Sequence, residues 1–144
     1  MIDSVTNAGA LPVLERLLQF AGQRHRLIVN NIANIDTPDF RPVDLSTTDF
    51  QETLGEAIDS RRARHGNAGG ELRLEDSQQI EFHRNSMTIN PEAVGENILF
   101  HDRNDRNIER IMQDLVENAL TFRMAAEFMR GRFDLINMAI RERI

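Results

Sequence analysis

Apolar residues recur at alternating spacings of three and four along both ends of the 144-residue chain. The first row is Leu11, Leu14, Leu18, Ala21, His25, Ile28, Ile32 and Ile35, with His25 its one polar member. Heptad spacing of this kind predicts an amphipathic helix. Pro12 is tolerated in a first helical turn, where its missing N–H costs nothing. Asp36-Thr37-Pro38 should end the helix, because the residue before proline disfavours helical geometry. The second row is Ile108, Met112, Leu115, Ala119, Phe122, Ala126, Met129, Phe133, Ile136 and Ile140, without a polar interruption. It predicts a helix of roughly 55 Å from Ile108 to the chain end. Asn104, Asp105 and Asn107 are candidate N-caps, and Glu109 suits the positive end of the helix dipole. Gly131 is its one weak interior residue.

Each helix carries a further apolar row on another face. On the C-terminal helix it is Val116, Leu120, Met124, Phe128, Gly131, Leu135 and Met138; on the first it is Val13, Leu17, Phe20 and Leu27. A two-helix hairpin buries only one row per helix, and large exposed apolar patches usually mark interaction sites. The second rows are therefore expected to meet other subunits, the alternative being a third helix folded back over them.

The middle of the chain is heterogeneous. Pro38 and Pro42 flank an extended turn containing Phe40 and Arg41. Thr48 with Gln51 forms a capping-box pattern ahead of a short helix facing inward with Phe50, Leu54 and Ile58. Residues 61–70, polar and glycine-rich, read as a mobile loop. Leu72/Leu74, Ile80/Phe82 and Met87/Ile89 alternate as short strands would. The expected fold is thus mainly α. Long N- and C-terminal helices pair as a coiled-coil-like hairpin, and an irregular middle contains a short helix and short β-strands. Three regions follow: 1–43 with the first helix and its exit, a partly flexible 44–99 unable to build a large core alone, and 100–144 with the last helix.

Charge divides along the same boundaries. The net charge is −6, and all of it lies in residues 44–99, since both ends carry equal numbers of acids and arginines. The basic set is entirely arginine, and Lys, Cys, Trp and Tyr are absent. Those absences exclude a lysine P-loop, a Schiff-base lysine, disulfides, thiolate nucleophiles and cysteine-bound zinc. There is no basic stripe with aromatic partners for nucleic acid, and no apolar run long enough to span a bilayer. The start, Met1-Ile2-Asp3, has neither the basic residues nor the apolar core of a secretory signal.

Catalytic chemistry is not evident. His25, His65, His83 and His101 show no HExxH spacing, and there is no G-x-S-x-G elbow. Glu81 with His83 and His101 with Asp102 are adjacent polar pairs of a common kind. Gly66, Gly69 and Gly70 lack the lysine and helix of a phosphate loop, and the Arg61–Arg64 cluster sits beside acids that can pair with it. No catalytic residue, metal ligand or cofactor is assigned. His25 at a core position could set register or respond to pH.

The run Asn30-Asn31-Ile32-Ala33-Asn34-Ile35-Asp36-Thr37-Pro38-Asp39-Phe40-Arg41 resembles the signature N-x-A-N-x-x-T-P-G-[YF]-[KR] of bacterial flagellar axial proteins. Asn31, Ala33, Asn34, Thr37, Pro38 and Phe40 carry the match, and Asp39 replaces the usual Gly. Residues 101–109 are similar to the D-G-N-x-V-[DE] run before the C-terminal helix of proximal-rod proteins, with Arg103 in place of Gly. Glu117-Asn118-Ala119-Leu120, Gly131-Arg132-Phe133 and Ala139-Ile140-Arg141 resemble the short rod members of the family. The resemblance implies a non-enzymatic rod subunit of the flagellar basal body, whose paired helices line a hollow, torque-transmitting tube.

It also implies export through the flagellar type III apparatus without a cleaved signal peptide, and a place in the periplasmic rod. Partners would be copies of itself, other rod proteins, the rod-base adaptor, the membrane ring and the export gate. On this reading Leu14, Leu18, Ile28, Ile32, Ile35, Met112, Leu115, Phe122, Met129, Phe133, Ile136 and Ile140 form the assembly interface. Leu17, Phe20, Leu120, Met124, Phe128 and Leu135 contact further subunits. The alternative is a soluble coiled-coil adaptor or export chaperone that binds amphipathic helices.

Overall fold

A computed structural model describes residues 9–65, 69–93 and 108–141. Its order is α1 (Leu11–Ala33), β1 (Val43–Asp44), α2 (Thr47–His65), β2 (Ile80–Phe82), β3 (Met87–Ile89), β4 (Glu92–Ala93) and α3 (Ile108–Arg141). The fold is mainly helical, with the two long terminal helices packed together and only short strands between them, as the heptad rows predict. The candidate caps Asn104, Asp105 and Asn107, and the His101–Asp102 pair, lie outside the described residues.

Helix α1 starts with Pro12 in its first turn and stops at Ala33, slightly earlier than Pro38 alone would require. The stop is made by Asn34, whose backbone N–H reaches the Asn30 carbonyl at 3.1 Å. Its side-chain amide donates to the same carbonyl at 2.8 Å. A pair of short turns follows, with the Thr37 N–H on the Asn34 carbonyl and the Phe40 N–H on that of Thr37. Asp39 adopts φ of 59°, the left-handed conformation in which glycine is least strained. That geometry gives a physical reason for the glycine of the axial signature.

The chain then turns back along α1. β1 pairs antiparallel with β4, Val43 opposite Ala93 and Asp44 opposite Glu92. Helix α2 is capped by Ser46, whose hydroxyl accepts the Asp49 N–H at 3.1 Å. The cap is therefore two residues before the expected Thr48, because Ser46 and Asp49 provide the cap-to-N3 spacing. α2 also runs on to His65, so Arg61–His65 are helical and not loop. Arg61 is buried there, and its guanidinium donates to the Gly9 carbonyl at 2.8 Å, tying the end of α2 to the start of α1.

The middle segment does build a core, by using α1 as its floor. Phe20 stacks on Phe50 with ring centroids 4.0 Å apart and planes 4° from parallel. Leu45, Leu54, Ala57, Leu72, Ile80 and Met87 complete the buried cluster, with Val13, Leu17 and Leu27 at its edge. The second row of α1 is thus covered by the chain's own middle. This corrects the expectation that Leu17 and Phe20 meet other subunits. The expected alternations at Ile80/Phe82 and Met87/Ile89 form a hairpin, Ile80 opposite Ile89 and Phe82 opposite Met87. Leu72 is buried but lies outside any strand.

Helix α3 runs antiparallel to α1: Asp114 lies beside Arg24 and, one turn further on, Asn118 beside Ala21. Its fully buried residues are Asn118 and Ala125, one heptad apart. The seam thus falls one residue before the Leu115–Ala119–Phe122–Ala126 row, a rotation of roughly 100°. Met112, Phe122, Phe133 and Ile140 of that row are exposed, while Leu115, Met129 and Ile136 are half-buried. On α1, Ala21 receives the Asn118 bond, Leu14, Ala21 and Ile28 are buried, and Leu18 and Ile32 are half-buried, as is Ile35 just past its end. His25 is exposed, so the polar residue in the seam is Arg24.

The left-handed turn at Asp39 yields a direct test. Asp39→Gly should raise stability by about 1 kcal/mol, and Asp39→Val should lower it by at least as much, in urea unfolding of the purified chain.

Candidate assembly surfaces

Three features define the arrangement of α1, β1 and α3. Arg24 of α1 is buried, and its guanidinium grips Asp44 of β1 in a fork. Nε lies 2.9 Å from Oδ1, and the terminal nitrogen Nη2 lies 2.7 Å from Oδ2. The same Nη2 reaches Asp114 Oδ1 of α3 at 3.4 Å. Burial alone would lower the guanidinium's pKa. The hydrogen bonds and charge of Asp44, with the carboxylates of Asp114 and Glu117, outweigh it and hold the pKa above its ordinary value. One cation therefore joins all three regions of the chain.

The second feature is the motif residue Asn31. It is buried, and its amide treats Val43 as a strand neighbour would. Nδ2 donates to the Val43 carbonyl at 2.8 Å, and Oδ1 accepts the Val43 N–H at 3.2 Å. Both backbone groups of Val43 are satisfied by one side chain, which an aliphatic residue could not do. Asn34 closes the helix as described above. Ala33 at the end of α1 and Thr37 and Pro38 in the turn are exposed, with Phe40 half-buried. The motif is a clasp that folds the chain back on α1.

The third feature is the outer face of α3. Val116, Leu120, Met124, Phe128, Leu135 and Met138 are each more than half exposed although α3 is packed on α1. At about 1.5–3 kcal/mol per large side chain, such a row withholds considerable stabilisation from the isolated chain. The row's position follows from the seam. Asn118 must face α1 to donate to the Ala21 carbonyl at 2.9 Å, and Asp114 must face Arg24. These two polar anchors fix the rotation of α3 and turn Leu120, Met124 and Phe128 outward. Sequence reasoning picked out the row but missed Arg24, Asp44 and Asp114. A lone arginine between apolar positions, with acids free to meet it, was the only available signal.

Elsewhere, His83 Nε2 and Thr88 Oγ1 are 2.9 Å apart on the exposed hairpin. Among the described residues no cluster of histidines and carboxylates could hold a metal ion. No described helix is long and apolar enough to cross a membrane.

The long antiparallel helix pair, its first member closed by an Asn-x-Ala-Asn clasp and a Thr-Pro turn, places the axial-type motif at the exit of α1. No protein-family model matches the chain. It is 26% identical over 133 residues to the flagellar basal body rod protein FlgB of Bacillus subtilis (strain 168), covering 92% of this chain and 94% of that one. It is 24% identical over 136 residues to FlgB of Borrelia hermsii, covering 92% and 96%. FlgB of Aquifex aeolicus (strain VF5) is 24% identical over 129 residues, 90% of each chain. The chain is thus similar over about nine-tenths of its length to FlgB rod proteins of three different bacteria, which supports its membership of that family.

The Arg24 node predicts a coupled pair of effects. Arg24→Met should cost about 2–3 kcal/mol, below the range for fully buried pairs because Asp44 and Asp114 keep some contact with water. Arg24→Met/Asp44→Leu should recover most of it, measured as a double-mutant cycle in urea.

Proposed function

We propose that the chain is a structural, non-catalytic subunit of the bacterial flagellar rod. It assembles by helix packing into a hollow tube that transmits torque. The observation that carries this reading is the uncovered apolar face of α3. A helix that has already paired with α1 still presents a row from Val116 to Met138 to solvent. Repeated heterologous contacts between copies or related subunits would cover such a face, and they build helical arrays when they do not close.

On this reading residues 1–43 and 100–144 form the axial unit and 44–99 the variable segment. The charge balance supports the division, because the ends proposed to pack closely carry no net charge. Leu18, Ile32, Ile35, Met112, Phe122, Phe133 and Ile140 lie partly or fully exposed beside the seam, available to neighbouring helices. Leu120, Met124, Phe128 and Leu135 form the outermost contact row. Leu14 and Ile28 act within the chain, holding α1 to α3. Partners would be further copies, other rod proteins, the rod-base adaptor, the membrane ring and the export gate. Export without a cleaved signal peptide and assembly in the periplasm complete the proposal.

Two substitutions separate assembly from folding. Leu120→Asp, at an exposed position, should change stability by less than about 0.5 kcal/mol yet abolish rods and swimming. Ile28→Asp, in the buried seam, should unfold the chain and abolish both. A swimming Leu120→Asp strain, or a strain lacking the gene that still builds complete rods, would refute the proposal.

A further inference from the structure

A cleft of about 280 Å³ runs between α1 and the tip of the β2–β3 hairpin. Leu18 and Met87 form its apolar walls, Gly22 its floor, and Arg26 is its one charged lining residue, with Gln19 and Ser86 at the rim. Glycine weakens a helix interior, and no packing among the described residues requires it here. A Cβ built at Gly22 would meet nothing within 4 Å. The glycine instead leaves the backbone of α1 open to a side chain from outside.

The far wall of the cleft is held in place. Arg16 donates to the carbonyls of His83, Arg84 and Ser86 at 2.6, 2.9 and 3.0 Å, and Gln19 donates to that of Asn85. The tip of the β2–β3 hairpin is thereby pinned to α1, and the cleft keeps its shape without an occupant. Such preorganisation lowers the cost of binding.

We infer that this cleft receives Met124 and Phe128 of a second copy of the chain, with Arg26 pairing to the incoming Glu127. The inference rests on the rod-assembly reading and names the contact it leaves open. Three observations select the occupant. The cavity has room for a phenyl ring and a neighbouring methionine side chain, and Met124 and Phe128 are exposed one helical turn apart. The charges complement one another: Arg26 is exposed at the cleft, and Glu127 is exposed two turns beyond Leu120 at the edge of the row. The row is also free in its own chain: the cleft lies between α1 and the hairpin tip, and Met124 and Phe128 stay more than half exposed while α3 is packed on α1. A copy therefore does not fill its own cleft. Each copy gives a row and receives one, a heterologous contact that propagates.

Because the chain has no cysteine, the contact can be tested by introduced thiols. Gly22→Cys and Met124→Cys, placed together in a strain lacking the native gene, should form a ladder of disulfide-linked dimers and higher multimers in assembled basal bodies. Neither variant alone should form one. Arg26→Glu should reduce swimming, and Glu127→Arg in the same chain should restore it.

A strain that swims with the paired cysteines but shows no ladder would overturn the inference and leave the rod reading intact. In that case a Gly22→Cys thiol shielded from a maleimide reagent in the assembled rod would mean that another protein fills the cleft. A reactive thiol would mean that the cleft stays empty. A strain that builds rods without the gene would overturn both readings.

Discussion

The arrangement of the molecule depends on neutralising one buried charge. Arg24 stands on the inward face of α1, and a guanidinium cannot remain there without paired acceptors. The acceptors come from two distant parts of the chain, Asp44 in the middle and Asp114 near the start of α3. Satisfying Arg24 therefore requires that the exit loop return to α1 and that α3 lie antiparallel with Asp114 inward. An apolar residue at position 24 would tolerate several rotations of α3, because its apolar rows extend around much of the helix. The arginine accepts few. Together with Asn118 on the Ala21 carbonyl, it selects a rotation in which Asn118 and Ala125 are the buried residues of α3 and Leu120, Met124 and Phe128 remain outside.

The exit clasp works by a related principle. A helix that ends and reverses leaves backbone groups without partners, and each must be satisfied before the chain can pack. Asn31 satisfies both groups of Val43, and Asn34 takes up the Asn30 carbonyl. Val43 is the residue before Asp44, so the amide clasp delivers Asp44 to Arg24. The motif and the buried ion pair are consecutive parts of one connection. Phe20, one turn before Arg24, stacks on Phe50 and brings α2 over the same stretch of α1.

Much of this was readable in the sequence because it is local. The two long helices, the turn before Pro38, the Ile80/Phe82 and Met87/Ile89 alternations and the two apolar rows of α3 all follow from spacing and backbone preference. The rotation of α3 was not readable. Heptad reasoning assumes that a helix pair buries its most apolar row. Here the buried positions are Asn118 and Ala125, chosen by polar partners on α1 that no periodicity reveals. The core of the middle segment was missed for a similar reason. Its residues come from short elements that pack only when α1 supplies Phe20 and Leu17, and that contact spans more than thirty residues of chain between Phe20 and Leu54. The length of α2 depended on Arg61 finding the Gly9 carbonyl, a partner 52 residues away.

Arginine at position 24 matters for its shape as well as its charge. A lysine would bring the same charge, but its three donors sit on one nitrogen. The guanidinium instead reaches Asp44 through Nε and Nη2 while Nη2 also approaches Asp114. Exposed pairs such as Arg62–Asp59 at 3.5 Å contribute little by contrast, since solvent screens them. The electrostatic organisation is therefore concentrated at one buried point. That concentration leaves the outer face of α3 free of structural duties within the chain. A helix anchored through Asp114 and Asn118, with Ala125 buried, can hold its position while Leu120, Met124 and Phe128 stay available. Had the chain used those side chains to bind α3 to α1, it would have gained stability as a monomer and lost the surface on which assembly is proposed to depend.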